Sequence, residues 1–260
     1  MENAEKIVLC FSPTGSCLKA ARAICGQKDR LIDFTLPANR DALPVFSKNI
    51  QAVFVLPVYN RSVPDVCRSY IKKLKGNGCN ASVICVYGGV TKGKSLTIAA
   101  KLLTDSGFVP VKGAYIAAPH FYAKEKINLL SHERLERLNE FLNGNFNTRE
   151  IKIAKLNPLL SFQPLLKSLT GRCVTDYSEC DECGKCKGVC PVNAVAEDFS
   201  TKHNCILCGA CLNACPLKAR SIKFFSPVPP LFIKLNCKHR HDEFFYFTDK
   251  NVNRMKKIVS

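Results

Sequence analysis

Eight cysteines fall in two copies of one pattern. Cys180, Cys183, Cys186 and Cys190 precede Pro191; Cys205, Cys208, Cys211 and Cys215 precede Pro216. Both copies read C-x2-C-x2-C-x3-C-P, and the likeness runs on into VNAV after one proline and LKAR after the other. Three thiolates at this spacing can wrap one side of a four-iron cube while backbone amides turn toward its sulfides. The competing chemistry is structural zinc, which uses two C-x2-C pairs and four ligands. A doubled four-cysteine motif with a trailing proline favours iron–sulfur clusters.

Residues 176–223 resemble the bacterial two-[4Fe-4S] ferredoxins. The resemblance includes Gly184 and Gly209, each directly after the second cysteine of its motif. In those proteins the fourth cysteine serves the other cluster. The likeness therefore implies one cluster on Cys180, Cys183, Cys186 and Cys215. It implies another on Cys205, Cys208, Cys211 and Cys190. Crossed ligation would tie together a module too small for a large core.

A second chemical motif lies near the start. FSPTGSC, residues 11–17, follows an apolar run and opens a helical stretch. Ser12, Thr14 and Ser16 offer hydroxyls, Gly15 lets the backbone approach a ligand closely, and a helix N-terminus supplies free amides. Such a loop can cradle a phosphate without Lys or Arg. It resembles the flavodoxin phosphate loop, which binds FMN. Cys17 stands where flavodoxins carry Thr or Ser. The resemblance also implies an aromatic stacked on the flavin from the loop PVYNRSVP. Tyr59, with Asn60 beside it, is the candidate, since the chain has no Trp. It further implies backbone contacts to the flavin from Tyr87, Gly88 and Gly89. The lysine-rich 90–94 loop departs from the family, where many members place acidic residues. The chain as a whole looks like the fusions of a flavodoxin-like domain with a two-cluster ferredoxin module, which are taken as electron carriers.

GGVTKGKS, Gly88 to Ser95, matches the phosphate-loop pattern of nucleotide-hydrolysing proteins. Hydrolysis also needs magnesium, held by the loop Ser and a carboxylate at a neighbouring strand end. The strand ends CFS, PVY and AAPH carry none, and only Asp33 is near one. In the flavodoxin-like reading Lys92 and Lys94 are solvated positives at the rim of the flavin site. CKHRHDE, Cys237 to Glu243, reads as a surface strand rather than a metal site. Cys10, Cys25, Cys67, Cys79, Cys85 and Cys173 read as small apolar residues, mostly buried.

The elements that must position these residues follow from the apolar pattern. Strands are expected at 6–11, 30–35, 50–59, 81–88 and 111–118. Helical stretches at 16–25, 64–75, 94–107 and 131–144 alternate with them; in the last, Leu135, Leu138 and Leu142 share one face. The 34–49 segment has no helical pattern. Apolar strands alternating with helices predict an α/β, doubly wound parallel sheet; the flavodoxin resemblance implies the order 2-1-3-4-5, with ligands at the strands' carboxyl ends. The expected domains are 1–144 (flavodoxin-like), 145–175 (a connector containing LNPLLSFQPLLKSL), 176–223 (a small α+β ferredoxin domain) and 224–260 (an extension).

The chain has 260 residues and a formal charge of +17. Without a helix-turn-helix signal, an aromatic RNA-binding pattern or a dense basic tract, nucleic acid is not the expected partner. An acidic redox partner protein or a solvated face fits the charge as well. No run is long and apolar enough to span a bilayer, and no secretory signal is evident. Sixteen cysteines in such a chain point to metal or redox chemistry in the cytoplasm rather than disulfides. The function expected is electron transfer through two [4Fe-4S] clusters and FMN. The alternatives are a flavin-dependent reductase of a small substrate, an iron–sulfur ATPase, and a scaffold with an empty front domain.

Overall fold

The structure, a computed structural model, describes residues 5–123, 129–144, 148–153, 170–237 and 241–256. The LNPLLSFQPLLKSL segment lies outside the described residues. Five parallel strands form the centre: β1 (Lys6–Cys10), β2 (Arg30–Asp33), β3 (Gln51–Pro57), β4 (Asn80–Tyr87) and β5 (Val109–Ala117), in the order β2-β1-β3-β4-β5. Their side chains alternate between two cores, as the pleat requires. Ile7, Leu9, Phe54 and Leu56 face one side; Val8, Cys10, Val53 and Val55 face the other.

Helices cover both faces. On the second, α1 (Ser16–Ile24) buries Ala20, Ala21 and Ile24 beside α4 (His132–Asn143), which buries Leu135, Leu138 and Leu142. Ser131 caps α4 by accepting a hydrogen bond from the Arg134 amide at 3.5 Å. On the first face lie α2 (Asp65–Ile71) and α3 (Ser95–Asp105). Between β2 and β3 there is only a 3-10 turn, Pro37–Arg40, in keeping with the weak pattern over 34–49.

The expected 144 and 224 boundaries do not close the front unit. β6 (Arg149–Glu150) and β9 (Glu243–Tyr246) extend the sheet beyond β5, in the order β5-β9-β6. β9 runs antiparallel to β5, pairing Tyr115 with Glu243 and Lys112 with Tyr246. A last helix, α8 (Asp249–Lys256), buries Val252 and Met255 in the first-face core. The return is held by Asp242, whose Oδ1 accepts the Ala117 amide at 3.0 Å and whose carboxylate pairs with Arg134. Phe244, Phe245 and Phe247 drive it: burying each contributes roughly 1.5–3 kcal/mol.

Between β6 and β9 the chain builds a second unit. It contains the antiparallel pair β7 (Gly171–Thr175) and β8 (Arg220–Phe224), and two short helices, α5 (Lys185–Gly188) and α6 (Ala210–Ala214). α7 (Val228–Asn236) follows. Among the described residues no helix is long and apolar enough to cross a membrane.

Candidate redox sites

The two cysteine motifs have matching backbones. Glu182 and Leu207, each one residue before the second cysteine, have φ of +55° and +51°. Gly184 and Gly209 follow at +72° and +82°, and Asn193 and Lys218 at +49° and +58°. Left-handed residues thus recur on the same schedule in both loops, the kind of backbone from which anion-binding nests are made. The sulfur of Cys190 accepts the Ala194 amide at 3.1 Å, and that of Cys205 accepts the Leu207 amide at 3.4 Å. Such bonds suit a sulfur that carries negative charge.

Cys190, Cys205, Cys208 and Cys211 all line one cavity, with Ile206, Leu207 and Ala210. Thus the last cysteine of the first motif reaches the first three of the second. Cys186, Cys190, Ala194, Val195 and Phe199 make a small core, against which Cys180, Cys205 and Cys211 pack. Cys183 is exposed while Cys186 and Cys190 are buried; the four cysteines of the second motif are all half-buried. Among the described residues no three Cys, His, Asp or Glu are placed to hold a metal ion. That bears on a lone ion, whose thiolates close to about 2.3 Å; a four-iron cube stands between its ligands and holds them farther apart.

Two residues at this cavity were not singled out in the sequence. Cys173, expected to be merely apolar, has its sulfur 3.6 Å from that of Cys211. Arg220 is buried, and its Nη2 lies 3.3 Å from the Cys173 sulfur and 3.9 Å from that of Cys211. The Cys173 contact and the Arg220 charge both lower the Cys211 thiol below its usual value. Arg220 Nη1 donates to the Phe199 carbonyl at 2.7 Å and to the Thr175 hydroxyl; Nη2 also donates to the Thr201 hydroxyl at 2.9 Å. Its buried Nε finds no partner among the described residues.

At the front, the loop 11–15 joins β1 to α1. Gly15 takes φ +91° at the helix N-cap, and a Cβ there would meet nothing within 4 Å. This exposed glycine, the α1 amides that lack an intrahelical partner, and half-buried Thr14 and Ser16 suit a phosphate. Ser12 has a different task. Its Oγ accepts the Leu18 amide at 2.8 Å, and its own amide donates to the Thr35 hydroxyl at 2.7 Å. The Cys17 thiol is buried in the second-face core, so only its amide is left for a ligand.

Tyr59 and Ser62 exchange backbone hydrogen bonds of 2.9 and 3.0 Å across Asn60 and Arg61, which stand at φ +46° and +65°. This tight hairpin holds Tyr59 half-buried. Burial raises its hydroxyl well above the usual phenol range, and nearby Cys208, Cys17 and Tyr122 add to the rise. Tyr59 thus stands between the phosphate-type loop and the second cysteine motif. Tyr87 does not: it is buried, and its hydroxyl donates to the His241 carbonyl at 2.8 Å. The Gly88 carbonyl accepts from Cys237 Sγ at 3.1 Å, and a Cβ on Gly88 would lie 2.5 Å from the His120 ring. Gly89 follows, buried, at φ +74°.

The Gly88–Ser95 loop is folded in on itself. The Lys94 amide donates to Arg61, the Ser95 amide to Lys92 and the Gly93 amide to the Thr91 hydroxyl. Ser95 is fully buried, its Oγ donating to the Lys92 carbonyl at 2.8 Å. Lys92, expected as a solvated rim charge, pairs with Glu243 at 2.6 Å and lies over the Tyr115 ring. The Gly93, Lys94 and Ser95 amides and the Ser95 hydroxyl are thus committed within the protein. In the 237–243 segment, residues 238–240 lie outside the described residues, while Asp242 and Glu243 make the ion pairs just given.

The two units touch through several contacts. Arg40 Nη2 donates to the Pro191 carbonyl at 2.7 Å. The Tyr122 hydroxyl donates to the Leu207 carbonyl, and its ring meets Phe224 edge-on at 5.7 Å. Ile206 packs on the front core. The chain matches no protein-family model and has no match among the curated proteins.

Proposed function

We propose that this chain is an electron-transfer protein with two [4Fe-4S] clusters in the cysteine repeat and FMN at the β1–α1 loop. When bound, the clusters would exchange single electrons and the flavin one or two. The observation that carries the reading is the single cavity lined by Cys190, Cys205, Cys208 and Cys211. Crossed ligation needs that set, whereas zinc held by separate C-x2-C pairs does not. In this reading Cys180, Cys183, Cys186 and Cys215 hold the other cluster. Thr14, Gly15, Ser16 and the amide of Cys17 take the phosphate, and Tyr59 borders the flavin ring.

The contact between units supports internal transfer. Leu207 and Gly209 lie against Tyr122 and Phe121, and Cys208 is near Tyr59. These contacts hold the second motif against the residues that follow β5 and near Tyr59. For the reductase alternative Tyr87 is a poor acid, since its hydroxyl is already donated. Against the ATPase alternative, the Gly93, Lys94 and Ser95 amides and the Ser95 hydroxyl are already bonded within the protein. The test is oxygen-free purification of the full chain with iron, sulfide and flavin measured on one sample. Two four-iron clusters and one FMN per chain are expected. Colourless, zinc-bearing protein would overturn the reading.

A further inference from the structure

The two cysteine motifs repeat in sequence and in backbone, but one position breaks the repeat. Four residues after the proline, the first copy carries Val195 and the second Arg220. Both are buried and both line the same cavity. Replacing an apolar side chain by a guanidinium at 4 % exposure costs desolvation, unless something there repays it. Three oxygens do so in part, through Thr175, Phe199 and Thr201. Of the remaining donors, Nη2 approaches the Cys173 and Cys211 sulfurs, and Nε has no partner among the described residues. No carboxylate is paired with the guanidinium in any ion pair of the described residues. The natural counter-charge is therefore the thiolate set itself.

We propose that Arg220, positioned by Cys173, Thr175 and Thr201, makes the two cluster sites electrostatically unequal and raises the reduction potential of the cluster held by Cys190, Cys205, Cys208 and Cys211. The inference rests on the iron–sulfur reading above. Each added electron makes a thiolate-ligated cluster more negative. A fixed positive charge and hydrogen bonds to its sulfurs stabilise that state, more so in a site shielded from water. Arg220 is a positioning and potential-setting residue; it need not ligate iron. Cys173 contributes in the same sense, because a ligating Cys211 sulfur carries no proton and the Cys173 thiol is then the donor in their 3.6 Å contact.

The experiment is a reductive titration of the full chain, purified without oxygen and followed by electron paramagnetic resonance. Iron content is measured on every sample. In Arg220→Gln one of two reduction steps is expected to fall by about tenfold in its equilibrium, about 59 mV for one electron, while the other stays. The step that moves should be the one lost in Cys190→Ala. Arg220→Lys, which keeps the charge, should restore most of the shift. Iron-replete Arg220→Gln with both steps unmoved, or both moved equally, overturns the inference and leaves the cluster reading intact. Should Arg220→Gln fail to retain iron, Cys173→Ala decides: a smaller drop in the same step supports the inference and an unmoved step overturns it. Wild-type protein without iron would sink both readings.

Discussion

The hydroxyl of Tyr122, at the carboxyl end of the sheet, donates to the backbone carbonyl of Leu207, the residue before Cys208. Beside it, Gly209 at φ +82° lies so close to Phe121 that a Cβ would stand 2.2 Å from the ring. One hydrogen bond and one close approach thus fasten the second motif to the front unit. Tyr122→Phe should destabilise the protein by about 1 kcal/mol in denaturant unfolding. Gly209→Ala should cost roughly 1–3 kcal/mol, through strain and overlap together. An Ala variant with wild-type stability would mean that the two units do not meet in this way.

Crossed ligation predicts exchanged losses. Cys190→Ala lies in the first motif but should remove the second motif's cluster; Cys215→Ala should do the reverse. Each variant should keep about half of the wild-type iron, and the surviving spectra should differ. If Cys190→Ala and Cys186→Ala leave the same remaining signal, each motif serves its own cluster.

The phosphate-type loop separates structure from binding. Ser12 Oγ holds the Leu18 amide, so Ser12→Ala should lower stability by about 1 kcal/mol even in flavin-free protein. Ser16→Ala should leave flavin-free melting within about 0.5 kcal/mol of wild type and weaken FMN binding. Riboflavin, without the phosphate, should not feel the Ser16 change. Equal weakening of FMN and riboflavin would place the phosphate elsewhere.

Charge near the exposed Cys183 opposes the charge of the chain. Asp176, Glu179, Asp181 and Glu182 are exposed around Cys183, with Lys185 close by, while Lys187 is paired with Glu197 at 2.7 Å. At physiological ionic strength distant charges are screened beyond about 8 Å. A mediator approaching Cys183 therefore meets carboxylates, although the formal charge is +17. Reduced protein should pass electrons faster to a cationic mediator than to an anionic one, and Glu182→Lys should narrow the gap. The opposite order would return the docking face to the basic surface expected from composition.

Alkali should weaken the fold through buried thiols. Burial pushes Cys85 from the usual 9.0 up to about 12. Its folded pKa is raised, so its contribution is complete below the unfolded value and is lost as pH climbs from about 9 toward about 12. Melting temperatures should be flat near neutrality and fall across that window. Cys85→Ala should melt lower at neutral pH but fall less steeply. A parallel fall would assign the loss to other groups.

The front sheet was legible because each central strand is buried on both faces and so reads as an unbroken apolar run. Its edge was not. β9 is four residues long and pairs with a strand more than a hundred positions earlier, and no local pattern encodes that partner. Tyr87, expected to contact a flavin from the end of its strand, is covered by the returning chain, whose His241 carbonyl accepts its hydroxyl. Cys173 has the composition of a core residue, and only the β7–β8 pairing brings it to Cys211. Arg220, by contrast, could have been found by laying VNAV over LKAR and asking why one copy needs a charge. The Gly88–Ser95 match shows the reverse case, a ligand motif whose glycines serve close packing.

The cysteine-rich unit departs after β6 and rejoins at β9, and those strands are neighbours at one margin of the sheet. It is therefore an inset, stitched at both ends, rather than a trailing module. Severing the chain after residue 144 would not liberate a finished front half: it would forfeit two strands and the plug formed by Val252 and Met255. Shuffling between proteins would have to move the cysteine-rich unit as a loop-borne graft, and two covalent cords leave it far less room to wander than one.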